Sequence, residues 1–252
     1  MAKITEDREL TYLGLQAGWT RAMRVHLYRR IALTGRRRIL DIGCADGLIT
    51  AEIAGRTKGE VTGIDISPER VDEARRNHPD IAFRETDSHD LPFGDGSFDA
   101  VVTNFTLMWT ERPERVMAEV VRVLKSGGAF LASGEPDYGG RIDEPESLSA
   151  LAGAWAESIV ADGGDPFFGR RLKGLMAGSG LRSVEIGVMP SVWEPEAGDE
   201  LETYLDCLRY LFSGRAAGGL DIDEIVKRER QAARSGARLV FLPIFWGIGE
   251  KP

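Results

Sequence analysis

The sequence predicts an α/β fold with a seven-stranded, mostly parallel sheet that is flanked by helices. From Arg38 onwards, short apolar runs alternate with segments of helical periodicity, which is the pattern of βαβ units. The first apolar run leads into a turn of small residues and then into a helix, as in Rossmann-like domains. The seven runs that we read as strands are 39–42, 61–64, 81–83, 98–102, 129–133, 181–189 and 238–246.

Helical signals fill the gaps between the predicted strands. Residues 47–56 follow the first strand, and Ser67 and Pro68 supply an N-cap and a first-turn proline for the next helix. Residues 113–124 place their apolar side chains on one face. Helical additions are expected at the N-terminus and between the late strands, at 6–34, 146–161, 168–179, 198–213 and 221–235.

We interpret residues 1–252 as a single domain, because the sequence contains no internal repeat and no low-complexity linker. The N-terminal helices occupy 1–35, the core occupies 36–140, and the later helices and final strands occupy 141–252. The length of 252 residues suits one large α/β domain with additions.

Charge and composition argue against several classes of partner. The net charge of −8 gives the whole molecule no electrostatic attraction to nucleic acid or to an anionic membrane. One segment is basic, and it fits either a phosphate-binding stripe or, as we prefer, a solvated helix face with its C-terminal turn. That segment contains Arg21, Arg24, Arg29, Arg30, Arg36, Arg37 and Arg38.

Neither the N-terminus nor the later chain suggests a membrane protein. The first residues lack the apolar stretch of a signal peptide, and the longest apolar run, 239–248, contains Pro243 and is too short to cross a bilayer. Cys44 and Cys207 are far apart, so neither a disulfide framework nor a metal site is expected. We therefore expect a cytoplasmic protein without a metal.

The small-residue turn at 43–47 suits a ligand that approaches the backbone closely. A dinucleotide would require glycine at 43, 45 and 48, but Ala45 and Leu48 occupy two of these positions. The turns that follow the strands are acidic and contain no lysine, which would repel a pyrophosphate. S-adenosylmethionine, with its sulfonium and ammonium groups, fits this charge, and Asp65 at the end of the second strand can accept hydrogen bonds from ribose hydroxyls. The acidic residues are Asp41, Asp46, Asp65 and Asp87.

Residues 38–137 resemble the class I S-adenosylmethionine-dependent methyltransferases, and most closely the branch of the ubiquinone/menaquinone-biosynthesis C-methyltransferases. Four motifs match in order: the glycine-rich loop 39–47, the second strand 61–67, the segment 87–93, and the fourth strand 97–105. Ala45 replaces the usual middle glycine of the first motif. The resemblance implies contacts of the loop with the cofactor, of Asp87 with adenine, and of the fourth strand's end with the methionine moiety.

Residues and resemblance together give a candidate cofactor site. Arg24, on the N-terminal helix, is included because the methionine carboxylate needs a cation in an otherwise acidic site. The expected product is S-adenosyl-L-homocysteine. The predicted cofactor-binding residues are Arg24, Asp41, Gly43, Cys44, Ala45, Asp65, Ile66, Asp87, Ser88, Asn104 and Phe105.

Methyl transfer is an in-line displacement, so the protein mainly aligns the acceptor and excludes water. A general base is needed only if the acceptor must lose a proton. The candidates are His26, His89, Glu135 and Asp137, although we favour an exposed turn position for His89. Glu135 and Asp137 also offer a weak divalent-cation pair after the fifth strand.

The acceptor is expected to be a small molecule, because the segments 141–180 and 197–235 have the size of pocket walls and a lid. A protein or RNA methyltransferase, which only the arginine segment supports, and a non-catalytic cofactor-binding module remain alternatives. The protein is expected to be a monomer or a homodimer. Aromatic and sulfur-containing candidates for the pocket are Met108, Trp109, Phe167, Phe168, Trp193, Tyr204 and Tyr210.

Overall fold

The computed structural model of the protein describes residues 2–189, 192–193, 198–212 and 219–252, with side chains from residue 13 onwards. The chain divides into two compact units. The core unit comprises Arg21–Glu135, Phe168–Met189 and Phe245–Pro252, and the second unit comprises Met1–Thr20, Pro136–Phe167 and Pro190–Ile244. Our expectation of a single domain stays a prediction.

The strands agree closely with the seven predicted runs over most of the chain. They are β1 (Arg38–Ile42), β2 (Glu60–Asp65), β3 (Ala82–Glu85), β4 (Phe98–Thr103), β5 (Leu124–Pro136), β6 (Ile142–Glu144), β7 (Arg182–Met189), β8 (Val192–Trp193), β9 (Leu239–Phe241) and β10 (Ile244–Glu250).

The described helices also match the predicted ones, and Ser67 caps α3 by accepting a hydrogen bond from the Arg70 N–H. Residue 213, the last of one predicted helix, lies outside the described residues. The α-helices are α1 (Ala2–Arg30), α2 (Leu48–Ala54), α3 (Pro68–Asn77), α4 (Pro113–Val123), α5 (Ala150–Ala161), α6 (Leu172–Gly178), α7 (Asp199–Phe212) and α8 (Ile222–Arg234).

The core unit is built on the predicted seven-stranded sheet, with the strand order β3-β2-β1-β4-β5-β10-β7. The pairs β1–β2, β1–β4, β2–β3 and β4–β5 are parallel. This confirms the Rossmann-like, mostly parallel architecture. The order reverses at β1, which has β2 on one side and β4 on the other, and ligands of such sheets bind at the carboxyl edge of this switch point.

Burial of apolar side chains from α1 and α2 against the central strands holds this sheet in place. Leu27 and Ile31 of α1 and Ile53 of α2 belong to one buried cluster with Ile39 of β1 and Val102 of β4. Burying a side chain of this size stabilises the fold by about 1.5–3 kcal/mol. The carboxyl end of α1 is therefore part of the core.

The predicted last strand, 238–246, is wrong as a single element. Leu239–Phe241 pairs antiparallel with β6 and β8 in a separate three-stranded sheet of the second unit, whereas Ile244–Glu250 belongs to the seven-stranded sheet. Pro243 explains the break, because proline has no N–H for a sheet ladder and fixes its own φ. The strands β6 and β8 were not predicted, since two or three residues carry no readable periodicity.

The fifth strand begins earlier than the predicted run 129–133. Strand β5 starts at Leu124 and extends through Gly127 and Gly128, with a shift in register against β4 between the pairs Phe98–Leu124 and Ala100–Ala129. Gly127 has a φ of +75°, so the irregularity is a bulge-like insertion in one strand instead of a loop between two elements.

A close approach of two strands gives the first prediction. A Cβ on Gly187 of β7 would overlap the indole of Trp246 on β10. We expect Gly187→Ala to lower the free energy of unfolding by about 1–3 kcal/mol, the usual cost of overpacking. The control is Gly174→Ala in α6, where a Cβ meets nothing within 4 Å, and this change should raise stability by about 0.5–1 kcal/mol. Urea denaturation measures both, and equal stabilities of the two variants would contradict the packing of Trp246 on Gly187.

Candidate functional site

The loops that follow the first four strands lie side by side at one edge of the sheet. Ile42, the last residue of β1, pairs with Ile64 of β2 and Thr103 of β4, and Asp65 of β2 pairs with Glu85 of β3. The carboxyl ends of the strands therefore coincide. These loops contain most of the predicted cofactor-binding residues: Gly43, Cys44, Ala45, Ile66, Asp87, Ser88, Asn104 and Phe105.

The carboxylate of Asp65 joins two of these loops. Its Oδ2 accepts the Ala45 N–H at 3.0 Å, and its Oδ1 accepts the Ser67 N–H at 3.0 Å. Each oxygen of a carboxylate can accept two hydrogen bonds, so both oxygens keep capacity for a diol. Asp65 is only half-buried, which leaves that capacity accessible.

Three residues of the glycine loop have positive φ angles. Gly43, Ala45 and Gly47 have φ values of +76°, +47° and +85°. A Cβ on Gly43 would overlap the side chain of Thr106, whose hydroxyl donates to the Ile42 carbonyl at 3.0 Å. Gly43 is thus required by the chain itself. Ala45 bears the strain of a left-handed conformation, a cost of roughly 1 kcal/mol that is typical of functional loops.

Two buried groups beneath the loop have raised pKa values, chiefly because burial disfavours their charged forms. Burial, with a smaller contribution from Asp65, raises the pKa of Asp41 to about 7, although the Thr50 hydroxyl donates to Asp41 at 2.6 Å and opposes the rise. Burial, Asp41 and Asp65 also raise the pKa of the Cys44 thiol well above its usual range. The thiol therefore stays protonated at neutral pH and is not a nucleophile.

The loops after β2 and β3 present an apolar and an acidic group. Ile66 is 69% exposed, which is unusual for a large aliphatic side chain at a strand end. Asp87 accepts hydrogen bonds from the backbone N–H and the Nδ1 of His89, at 2.8 and 2.6 Å, and these bonds lower its pKa. Ser88, which lies between Asp87 and His89 in the sequence, is half-buried.

The expected exposed position of His89 is wrong. Its side chain is only 15% exposed, because Nδ1 is held by Asp87, and Nε2 is buried without a hydrogen-bond partner among the described residues. His26, the other histidine candidate, is exposed on α1.

Glu135 organises the loop that follows β4. Its fully buried carboxylate accepts the backbone N–H groups of Thr106, Leu107 and Met108 at 3.2, 3.0 and 3.2 Å. Burial raises the pKa of Glu135 to about 7, and the three N–H groups oppose that rise. Since these bonds occupy both oxygens, we assign Glu135 the positioning of this loop, a role that sequence reasoning missed.

The same loop holds the predicted residues Asn104 and Phe105. The Asn104 Oδ1 accepts the Ser133 hydroxyl at 3.0 Å, and Phe105 has a φ of +52°, which is rare for a non-glycine residue. Asp137, in contrast, belongs to the second unit, where its carboxylate accepts the Gly139 N–H at 3.0 Å. Glu135 and Asp137 thus have separate local roles.

Arg24 lies in the core unit but is held by a carboxylate. Its fully buried guanidinium donates to Glu52 through Nε and Nη2, at 3.3 and 2.9 Å. Other arginines of the basic segment also make internal contacts: Arg30 pairs with Glu185, and Arg36 donates to the carbonyls of Ile31, Asp99 and Gly127.

The candidate pocket residues fall in both units. In the core unit Met108 and Phe168 are buried and Trp109 is exposed. In the second unit the Trp193 and Tyr204 rings have centroids 4.7 Å apart, Tyr210 is half-buried, and Phe167 is exposed. The described residues contain no cluster of three potential metal ligands.

Comparison with known proteins agrees with this geometry. A family described as "Methyltransferase domain" matches residues 40–132. An uncharacterised 37.1 kDa protein in transposon TN4556 of Streptomyces fradiae is 36% identical over 171 residues, which cover 64% of this chain and 48% of that protein. The demethylmenaquinone methyltransferase of Tropheryma whipplei (strain Twist) is 37% identical over 118 residues, which cover 46% of this chain and 47% of the enzyme.

The fold is also found among solved structures. A provisionally assigned methyltransferase, BH2331, of Bacillus halodurans C-125 matches with a TM-score of 0.60 at 16% identity, covering 90% of this chain and 98% of that one. This likeness concerns the fold alone. The chain spans about half the length of the two curated relatives named above.

These observations define the class of protein. Residues 40–132 belong to the methyltransferase domain family, and the similar proteins include demethylmenaquinone methyltransferases and a ubiquinone/menaquinone-biosynthesis C-methyltransferase. None of the helices in the described ranges combines the length and apolar character that crossing a bilayer requires.

The buried Asp41 gives a pH-dependent prediction. Its pKa rises from 3.8 to about 7 on folding, so the native state favours the protonated carboxyl. This contribution to stability is complete below about pH 4 and is lost as the pH rises to about 7 and above. Without cofactor, the stability of the wild type relative to Asp41→Asn should therefore fall over this range. The fall is at most about 4 kcal/mol, since one pKa unit corresponds to about 1.4 kcal/mol.

Urea denaturation of both proteins between pH 4 and 8 measures this difference. The comparison isolates Asp41, because Glu135, whose pKa is also raised, is present in both proteins. A difference in stability that does not change with pH would show that Asp41 is ionised in the native state throughout the range.

Proposed function

We propose that this protein transfers the methyl group of S-adenosylmethionine to a small-molecule acceptor. The observation that carries the proposal is the Asp65 carboxylate, which is fixed at the switch point by two backbone N–H groups and still has free hydrogen-bonding capacity. The carboxylates of Asp65 and Asp87 at this edge support a cationic cofactor over a pyrophosphate.

The donor set of this edge fits S-adenosylmethionine. Asp65 would accept the ribose hydroxyls, the exposed side chain of Ile66 would cover one face of the adenine, and Asp87 with Ser88 would face its polar edge. The loop 43–45 and the residues Asn104 and Phe105 would hold the methionine moiety. When bound, the cofactor supplies an electrophilic methyl group on a sulfonium leaving group.

The protein's own residues supply position and environment. Glu135 fixes the loop 104–108 through three backbone N–H groups, so the end of β4 is rigid before any ligand arrives. The carboxylates near the loop favour a cation. For an acceptor that must lose a proton, the Nε2 of His89 is a better base candidate than Glu135, because Asp87 orients the ring and Nε2 has no hydrogen-bond partner in the described part of the chain.

The small-molecule acceptor is supported by the relative that acts, by its name, on demethylmenaquinone. We propose that residues of 141–252 determine which acceptor is used. A cytoplasmic location, a monomeric or homodimeric state, and the absence of a metal and of a nucleic-acid partner are part of the same proposal.

The cofactor assignment is tested by replacing the ribose carboxylate. Asp65→Asn removes the charge but keeps the shape, and it should weaken binding of S-adenosylhomocysteine by about 2–4 kcal/mol, roughly 30-fold or more, as expected for charge-assisted hydrogen bonds. The control is Asp72→Asn, which makes the same change on the exposed face of α3. Calorimetric titration measures both, and an unchanged affinity of Asp65→Asn would remove Asp65 from the site.

The activity is tested with methyl-labelled S-adenosylmethionine and fractionated cell extract. We expect label in the small-molecule fraction with the wild type, and little with Asp65→Asn. Label in the protein or RNA fraction would favour the alternative acceptors. Binding of the cofactor without transfer to any fraction would favour a non-catalytic module.

A further inference from the structure

The second unit contains a buried chain of alternating charges that the methyltransferase chemistry does not use. Glu229 of α8 pairs with Arg238, Arg238 with Asp143 of β6, and Asp143 with Arg141. The side chains of Glu229, Arg238 and Asp143 are fully buried, and that of Arg141 is 6% exposed. The charges alternate in sign from Glu229 to Arg141, so this buried chain of charges ends on the cation Arg141.

The inner members of this chain are saturated with hydrogen bonds. Arg238 donates through Nε and Nη2 to both oxygens of Glu229, at 2.6 and 2.8 Å, and through Nη2 to Asp143 at 2.6 Å. Its Nη1 donates to the carbonyls of Glu144 and Leu239, at 3.0 and 2.7 Å. All five N–H groups of Arg238 are therefore used, and nothing is left for a ligand.

Arg141 differs, because only one edge of its guanidinium is occupied. Its Nε and Nη2 donate to the two oxygens of Asp143, at 2.7 and 2.9 Å. The Nη1 group makes no hydrogen bond within the described residues. Since Asp143 is shared with Arg238, it neutralises Arg141 only in part. The remaining edge, formed by Nη1 and Nη2, has the fork geometry that binds a carboxylate with two parallel bonds.

Tyr204 of α7 provides a second unused donor beside the charged chain. The residue is 2% exposed, and its hydroxyl is buried without a hydrogen-bond partner among the described residues. Its charge interactions are with Arg141, Arg238, Asp143 and Glu229, so the phenol lies beside the charged chain. Burial raises the pKa of Tyr204, and the hydroxyl therefore keeps its proton and remains a donor at neutral pH. A buried hydroxyl without a partner is costly, so this donor is available to a ligand.

Aromatic rings surround both donors. The Arg141 guanidinium lies over the Trp155 ring at 5.8 Å from the centroid, and Tyr138 stacks on Trp155 at 6.1 Å. Tyr204 contacts Trp193, and Trp19 packs on Trp193 at 5.0 Å between centroids. Such walls favour a ligand with a planar or apolar body.

We propose that Arg141 and Tyr204 form a binding site for an organic monocarboxylate with an aromatic or apolar body. The carboxylate would take the free edge of Arg141 and the Tyr204 hydroxyl, and the rings would cover the body. A dianion such as phosphate is disfavoured, because it would place two charges beside the buried carboxylates of Asp143 and Glu229. This site lies within the second unit, and the proposal concerns binding alone, independently of methyl transfer.

The test is ligand-observed NMR on the full chain, without cofactor, using benzoate, phenylacetate and naphthoate, each paired with its uncharged amide. We expect the carboxylates to bind and the amides to bind at least about tenfold more weakly, because the amide lacks the charge-assisted bonds. Inorganic phosphate should not displace the carboxylates. Binding by none of the three carboxylates at millimolar concentration, equal binding of the amides, or displacement by phosphate would each overturn the proposal.

Tyr204→Phe keeps the ring and removes only the hydroxyl, so we expect unchanged or higher stability and carboxylate binding weakened by about five- to tenfold. Tyr28→Phe is the matched control, because its hydroxyl is also buried without a partner at hydrogen-bond geometry among the described residues, but it lies in the core unit. The carboxylate affinity of this variant should equal that of the wild type. Arg141→Lys should abolish binding if it folds. Wild-type affinity of Tyr204→Phe would overturn the assignment even if Arg141→Lys fails to fold.

Discussion

The candidate site depends on one constraint, the attachment of neighbouring loops to buried or half-buried carboxylates at the carboxyl edge of the sheet. Asp65 bridges the glycine loop and the start of α3 through the N–H groups of Ala45 and Ser67. Glu135 does the same for the loop after β4. Without these carboxylates, several N–H groups of the loops would have no acceptor and the loops would not hold one conformation, since each buried donor needs an acceptor. The two carboxylates therefore give the edge its shape and its negative potential together.

This arrangement explains why the glycine pattern tolerates an alanine. The position of residue 45 is set by the Asp65 carboxylate, and Ala45 accepts a left-handed conformation at modest cost. Gly43 has no such freedom, because the Thr106 side chain occupies the space of its Cβ and is itself bonded to the end of β1. The loops after β1 and β4 are thus interlocked, and a change in either should affect both.

Much of this could be predicted from the sequence where the signal is local. Each apolar run of β1 to β4, the cap at Ser67 and each acidic strand end is a signal contained within a few consecutive residues. The Arg141–Asp143–Arg238–Glu229 chain could not be predicted, because its members are up to 97 positions apart and single charged residues resemble solvated ones. The role of Glu135 was missed for a similar reason, since its three partners precede it by 27–29 positions. The interruption of the last strand could not be predicted in full, because it depends on the pairing of β9 with β6 and β8, although Pro243 indicates its position.

The selectivity of this edge for S-adenosylmethionine is tested most directly by comparing two ligands of opposite net charge. Isothermal titration of the wild-type protein with S-adenosylmethionine and, separately, with NAD⁺ measures whether the acidic cradle selects the sulfonium nucleoside over a pyrophosphate. We expect saturable binding of S-adenosylmethionine, weakened roughly 30-fold or more in Asp65→Asn, and no binding of NAD⁺ at the same concentrations. Binding of NAD⁺ with equal or higher affinity would contradict the assignment of the site.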